Sequence, residues 1–138
     1  MRRATDDRIN WISSLPFLAF HAVPFLAIVT GVTLKAVVIF GALYAIRMFA
    51  VTAGYHRYFA HRSYRASRVV QFGLALLGAT AAQKGPLWWA GHHRAHHRYS
   101  DTEQDIHSPQ KGFWWSHVGW ILCDRYNKAD LDLVQDLA

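Results

Sequence analysis

Between residues 9 and 34 the chain has no Asp, Glu, Lys or Arg. About 20 mostly apolar residues suffice to cross a bilayer as a helix, so this pattern predicts a first span over residues 11–31. Pro16 and Pro24 fall inside it, and membrane helices tolerate proline. His21 also lies inside it and is expected to pack or hydrogen-bond rather than bind a metal. Thr30-Gly31-Val32-Thr33 reads as a tight turn. A second apolar run follows at once, over about residues 34–55, which argues against a cleaved signal peptide. Lys35 can snorkel at its outer end, whereas Arg47 is costly in lipid and should face protein or water.

These runs predict a helical hairpin. Its turn carries only Lys35, while Arg2, Arg3 and Arg8 flank one end and Arg57, Arg62, Arg65 and Arg68 the other. By the positive-inside rule both ends are cytoplasmic. The expected fold class is therefore all-α: an integral membrane helical hairpin of two transmembrane helices, 11–31 and 34–55, followed by cytoplasmic helices over 56–138. Residues 69–82 are apolar but too short to span comfortably, and predict a buried or interfacial helix. Lys84-Gly85-Pro86 breaks it, and Pro86 can open the next helix. Residues 100–111 read as a polar loop, 113–120 as an aromatic stretch at the membrane surface, and 128–138 as an amphipathic start.

Length fits one domain, 1–138. Mean hydropathy is +0.02, an average that hides the apolar first part and polar second part. Aromatics make up 14% with six Trp, which suits a membrane interface. The net charge of +6 does not point to nucleic acid, because the basic residues flank apolar spans and histidines rather than a reading motif. The single cysteine, Cys123, excludes an internal disulfide or an iron–sulfur cluster. No G-x-G-x-x-G or Walker loop occurs, so electrons for any redox chemistry must come from an external donor.

The candidate chemistry is in the histidines. His93, His96 and His97, at i, i+3 and i+4, share one face of an α-helix, and imidazole suits a transition metal. The bland alternative is a basic surface cluster with Arg94 and Arg98. His56 and His61 form an H-x4-H pair. On a regular α-helix they lie about 140° apart, so unless the helix ends between them they fit better if each serves a different ion. A zinc hydrolase of the H-E-x-x-H type is absent. A ferritin-like carboxylate site needs four glutamates, and the chain has only Glu103. What remains is a histidine-rich site at the cytoplasmic mouth of membrane helices, suited to redox-active iron and a greasy substrate.

Three stretches carry a family resemblance: His56-Arg57-Tyr58-Phe59-Ala60-His61, His93-Arg94-Ala95-His96-His97, and Gly112-Phe113-Trp114-Trp115-Ser116-His117-Val118-Gly119-Trp120. Together with Thr52-Ala53-Gly54 and Ser100-Asp101, the chain from about Trp11 onward resembles the membrane fatty acyl-CoA desaturases of the stearoyl-CoA Δ9 type. The resemblance implies two iron ions held by histidines, O2 as oxidant, and insertion of a cis double bond into a saturated acyl-CoA or related acyl chain. It assigns His56, His61, His93, His96 and His97 as iron ligands, with His92, His107 and His117 outside the boxes. It also implies a substrate tunnel whose floor is on the second helix. Phe40 and Tyr44, one turn apart on one face, are candidates to close it, and Trp88 and Trp89 are candidate substrate contacts. The expected partners are membrane lipid, the acyl substrate, and a ferredoxin, rubredoxin or cytochrome b5-like electron donor with its reductase. The family's third box, H-x-x-H-H, and two further membrane helices do not occur within these residues. The chain is thus expected to be the N-terminal part of a desaturase, inactive alone. A related hydroxylase, or a non-catalytic metal-binding membrane protein, are the competing readings.

Overall fold

A computed structural model describes residues 7–137, so Arg2 and Arg3 of the charge argument, and the final Ala138, lie outside the described residues. All regular elements among those residues are helical. Among the described residues, the only β-type pairing is an isolated bridge between Ile9 and Cys123.

Helix α1 is Trp11–Thr30. Asn10 caps it by accepting from the Ser13 amide at 3.0 Å, satisfying one of the amides a helix start leaves unpaired. At Val23–Leu26 the helix tightens to 3-10 geometry around Pro24, which has no N–H for the regular ladder. His21 keeps its ring on its own helix, with Nδ1 2.7 Å from the Phe17 carbonyl, as expected of a non-ligand. Gly31, at φ +72, then turns the chain, and Thr33 caps helix α2 by accepting from the Ala36 amide.

Helix α2 is Leu34–Ala60, five residues longer than the apolar pattern suggests. It therefore includes His56 and ends between the two histidines of the first pair, with His61 as its C-cap. Arg47 faces protein, as its cost in lipid requires: its Nε donates to the Thr80 carbonyl at 3.1 Å. Both long helices are apolar enough to cross a membrane by length and composition. Their side chains are mostly exposed; Ile28 and Leu34, for example, are 82% and 80% accessible.

Helix α3 is Arg68–Ala79, capped by Ser67. It buries Leu74 and Gly78 and exposes Val69 and Phe72, so the one apolar element is half core and half outer surface. Gly78 permits the contact, because a Cβ there would overlap the Tyr55 ring. Helix α4 is Pro86–Tyr99, with proline at its first position. Helix α5, Phe113–His117, is a single short element. The aromatic stretch around it divides. Phe113 and Trp114 are exposed, while Trp115 donates to the Ile106 carbonyl at 3.1 Å and Trp120 stacks on Trp88.

The core lies where the end of α2 meets α3, α4 and the tail. Tyr55, Tyr58, Phe59, Ala60, Leu74, Ala90 and Val134 form it. The tail, Leu131–Leu137, is a run of 3-10 turns that closes this core through Val134 and Leu137. The segment before α1 docks onto residues 122–126. The Asn10 amide donates to the Leu122 carbonyl at 2.9 Å, Asn10 Nδ2 to Asp124 at 2.6 Å, and Arg125 and the Tyr126 hydroxyl both donate to Asp7. The start of α1 and the end of α2 are thus at one end of the molecule, as the hairpin expectation requires.

Candidate metal centre

The last part of α2, Ala50–Ala60, is a π-helix. Its ladder reaches one residue further than an α-helix; the His61 amide donates to the His56 carbonyl at 3.0 Å. Residues five apart therefore stand one above the other. His56 and His61 consequently point together, with their Nε2 atoms 3.2 Å apart. The separation of 140° holds only for a continuous α-helix; here the helix ends at Ala60, between the two histidines, which is the condition under which the pair can converge.

On α4, His93 and His97 are one ordinary turn apart, with Nε2 atoms at 3.0 Å. His93 Nε2 also lies 3.0 Å from His61 Nε2. Ligand atoms of all four rings fall within 4.8 Å of one another. Nitrogens bound at ~2.1 Å to one ion and at right angles would be about 3.0 Å apart, so the spacing suits a transition metal. Four nitrogens aimed at one point cannot all be satisfied by each other's single ring protons; a cation there resolves the conflict.

The electrostatics favour the neutral ring at His93 and at His61. Burial, then the neighbouring His97, His56, His61 and His96, push His93 down to about 3. Burial and then His56, His97 and Arg94 lower His61 as well. A neutral imidazole has the lone pair a metal needs.

His96 is on the same helix but outside that group of four. Its Nδ1 donates to Asp105 Oδ1 at 2.9 Å, because an ionised carboxylate can only accept. In the neutral ring that tautomer leaves the lone pair on Nε2. Asp105 is 1% exposed. Burial opposes its charge, but hydrogen bonds from His96 and the His107 amide outweigh burial and hold its pKa below the usual range. The His107 ring stacks on His96 at 4.1 Å. Asp105 was not visible in the sequence as a functional residue: it sits in a loop nine residues from His96, where no helical period links the two.

The other histidines stay apart from these groups. His92 is buried with Nδ1 2.9 Å from the Trp88 carbonyl, and His117 Nδ1 lies 3.2 Å from the Phe113 carbonyl. The four candidate substrate residues divide. Trp89 stacks on His93 at 4.7 Å and meets the His56 ring edge-on, so it walls the four-histidine group. Trp88 turns to the other side, donating to the Tyr126 carbonyl at 2.8 Å beneath Lys84 Nζ. Phe40 and Tyr44 stack on α2, centroids 6.2 Å apart, and Phe40 borders an apolar cleft of about 430 Å³ between α1 and α2.

Comparison with known sequences places the chain in a family. Residues 33–125 match the fatty acid desaturase family. The chain is 38% identical over 136 residues to the sn-1 stearoyl-lipid 9-desaturase of Anabaena variabilis, covering 93% of this chain and 48% of that protein. It is 39% identical over 119 residues to the probable acyl-CoA desaturase of Schizosaccharomyces pombe, covering 83% and 24%. It is 44% identical over 86 residues to the Delta-9 desaturase-like 5 protein of Arabidopsis thaliana, covering 62% and 29%. The chain spans about half the length of the first of these and less of the other two. Since the matched residues enclose both histidine boxes, the chain belongs to the fatty acid desaturase family.

Proposed function

We propose that this chain supplies the first two histidine boxes of an oxygen-dependent fatty acyl desaturase, which introduces a cis double bond, at Δ9, into a saturated acyl chain. The observation that carries the reading is the convergence of His56, His61, His93 and His97 from two helices. These four would hold one iron ion. His96, oriented by Asp105, would offer its Nε2 to a second. The bound iron pair would supply the activation of O2. The chain's own residues set the ligands, disfavour protonation of His93 and His61 and wall the group with Trp89. The relatives' names include both a lipid-linked stearoyl substrate and acyl-CoA, so the acyl group is the shared element. Phe40 and Tyr44 would form the floor of its tunnel. Electrons would come from a ferredoxin, rubredoxin or cytochrome b5-like donor.

Helices α1 and α2 are read as the two membrane spans. The docking of residues 7–10 on residues 122–126 supports a hairpin with both ends on one side. Exposed Arg57, Arg62, Arg65 and Arg68 at that end favour the cytoplasm. The test is product analysis by mass spectrometry with the full-length protein in membranes. The expected product has lost two hydrogens, and His93→Ala should abolish it and lower bound iron. An acyl product that has gained one oxygen would favour a hydroxylase and overturn the desaturase reading.

A further inference from the structure

Within the second box, between the ligands His93 and His96, stands Arg94. An arginine has five N–H donors in a rigid fork, and here all five have acceptors. Nε donates to the Ala60 carbonyl at 2.7 Å and Nη2 to the Phe59 carbonyl at 2.9 Å. Nη1 donates to the Leu133 carbonyl at 2.7 Å. The remaining two donors grip the Asp136 carboxylate side-on.

Two of those acceptors are the last two carbonyls of the π-helix. A helix end leaves its final carbonyls without partners in its own ladder. In α2 the carbonyls of His56, Arg57 and Tyr58 accept from the amides of His61, Ser63 and Arg62. Those of Phe59 and Ala60, next in line, accept from Arg94. Both residues are buried, at 3% and 5% exposure, so water is a poor substitute. The connection also borders both boxes: Arg94 follows His93 directly, and Ala60 precedes His61 directly.

We propose that Arg94 is a positioning residue, which caps the π-helical end of α2 and thereby fixes the first histidine box against the second. Asp136, also 3.5 Å from Arg62, ties the tail to the back of the fork, and the two carbonyl caps do not depend on it. Lysine cannot replace the arginine, because a single ammonium cannot reach two carbonyls and a carboxylate in one plane.

The inference rests on the metal-site reading, so the experiment separates the two. The full-length protein is loaded with Co(II), whose ligand-field absorption reports the number and arrangement of imidazoles. The unaltered protein should show these bands, and their absence would strike at the metal site itself. Arg94→Lys should shift the bands and weaken Co(II) binding by about tenfold or more, the scale of lost outer-shell support, with helicity by circular dichroism unchanged. Asp136→Asn leaves both carbonyl caps in place and should keep the bands of the unaltered protein. Unaltered bands and affinity in folded Arg94→Lys would overturn the positioning role. So would an Asp136→Asn protein with shifted bands, a result that stands even where Arg94→Lys does not fold.

Discussion

At the scale of single residues, the site depends on which nitrogen each imidazole presents. Asp105 settles this for His96 by accepting from Nδ1. Asp105→Asn keeps an acceptor but loses the charge, so iron bound per protein should fall, with affinity reduced by about 10–100-fold. Metal analysis of the purified variant checks this, and iron content equal to that of the unaltered protein would mean that His96 does not depend on Asp105. The five histidines were legible in the sequence because metal chemistry needs that residue type in close spacing. Asp105 and Arg94 were not. Their roles come from contacts across nine residues of loop and across 34 residues to Ala60, and sequence spacing carries no trace of either.

At the scale of elements, the π-helix decides the geometry. The hydrophobic pattern does locate α2, since burial and exposure follow from composition. It does not report the ladder, because π and α turns use the same residues. The spacing of five between His56 and His61 becomes evidence for a π turn only once both are known to meet. Deleting Val51 should let the segment relax towards an α-helix and swing His56 away from His61. Metal affinity should then fall by more than the about 10–100-fold typical of outer-shell changes, as read by the Co(II) spectrum; an unchanged spectrum would show that the π register is dispensable. The same helix carries the stacked pair Phe40 and Tyr44 further along. If they close the tunnel, Tyr44→Ala should favour chains longer by roughly two methylenes, each contributing about 0.8 kcal/mol. A mixed-chain competition read by mass spectrometry checks this. An unchanged product distribution with both Tyr44→Ala and Phe40→Ala would leave the pair as packing.

At the scale of the whole molecule, two long helices with little of their own surface covered are joined to a compact histidine-bearing end. This division was legible in the charge-free run and the turn at Gly31. The docking of residues 7–10 was not, because Asp7 and Asn10 look like ordinary surface residues until Leu122, Asp124 and Arg125 are placed beside them. The arrangement predicts opposite labelling of single cysteines at the two ends. In sealed vesicles, Ser100→Cys should react from the cytoplasmic face and Val32→Cys from the other, while native Cys123, 1% exposed, stays silent. Labelling of both from one face would end the hairpin reading.

The docking of Asn10 on Asp124 also has a consequence in time. The two are 114 positions apart. A ribosome adding about 5–20 residues per second takes roughly 6 to 23 s to cover that interval. For most of it α1, Trp11–Thr30, has been made and its anchor does not yet exist. Its apolar surface alone must hold it in place until the contact arrives. The dock is therefore a late lock on a helix already made, rather than the contact that first places it.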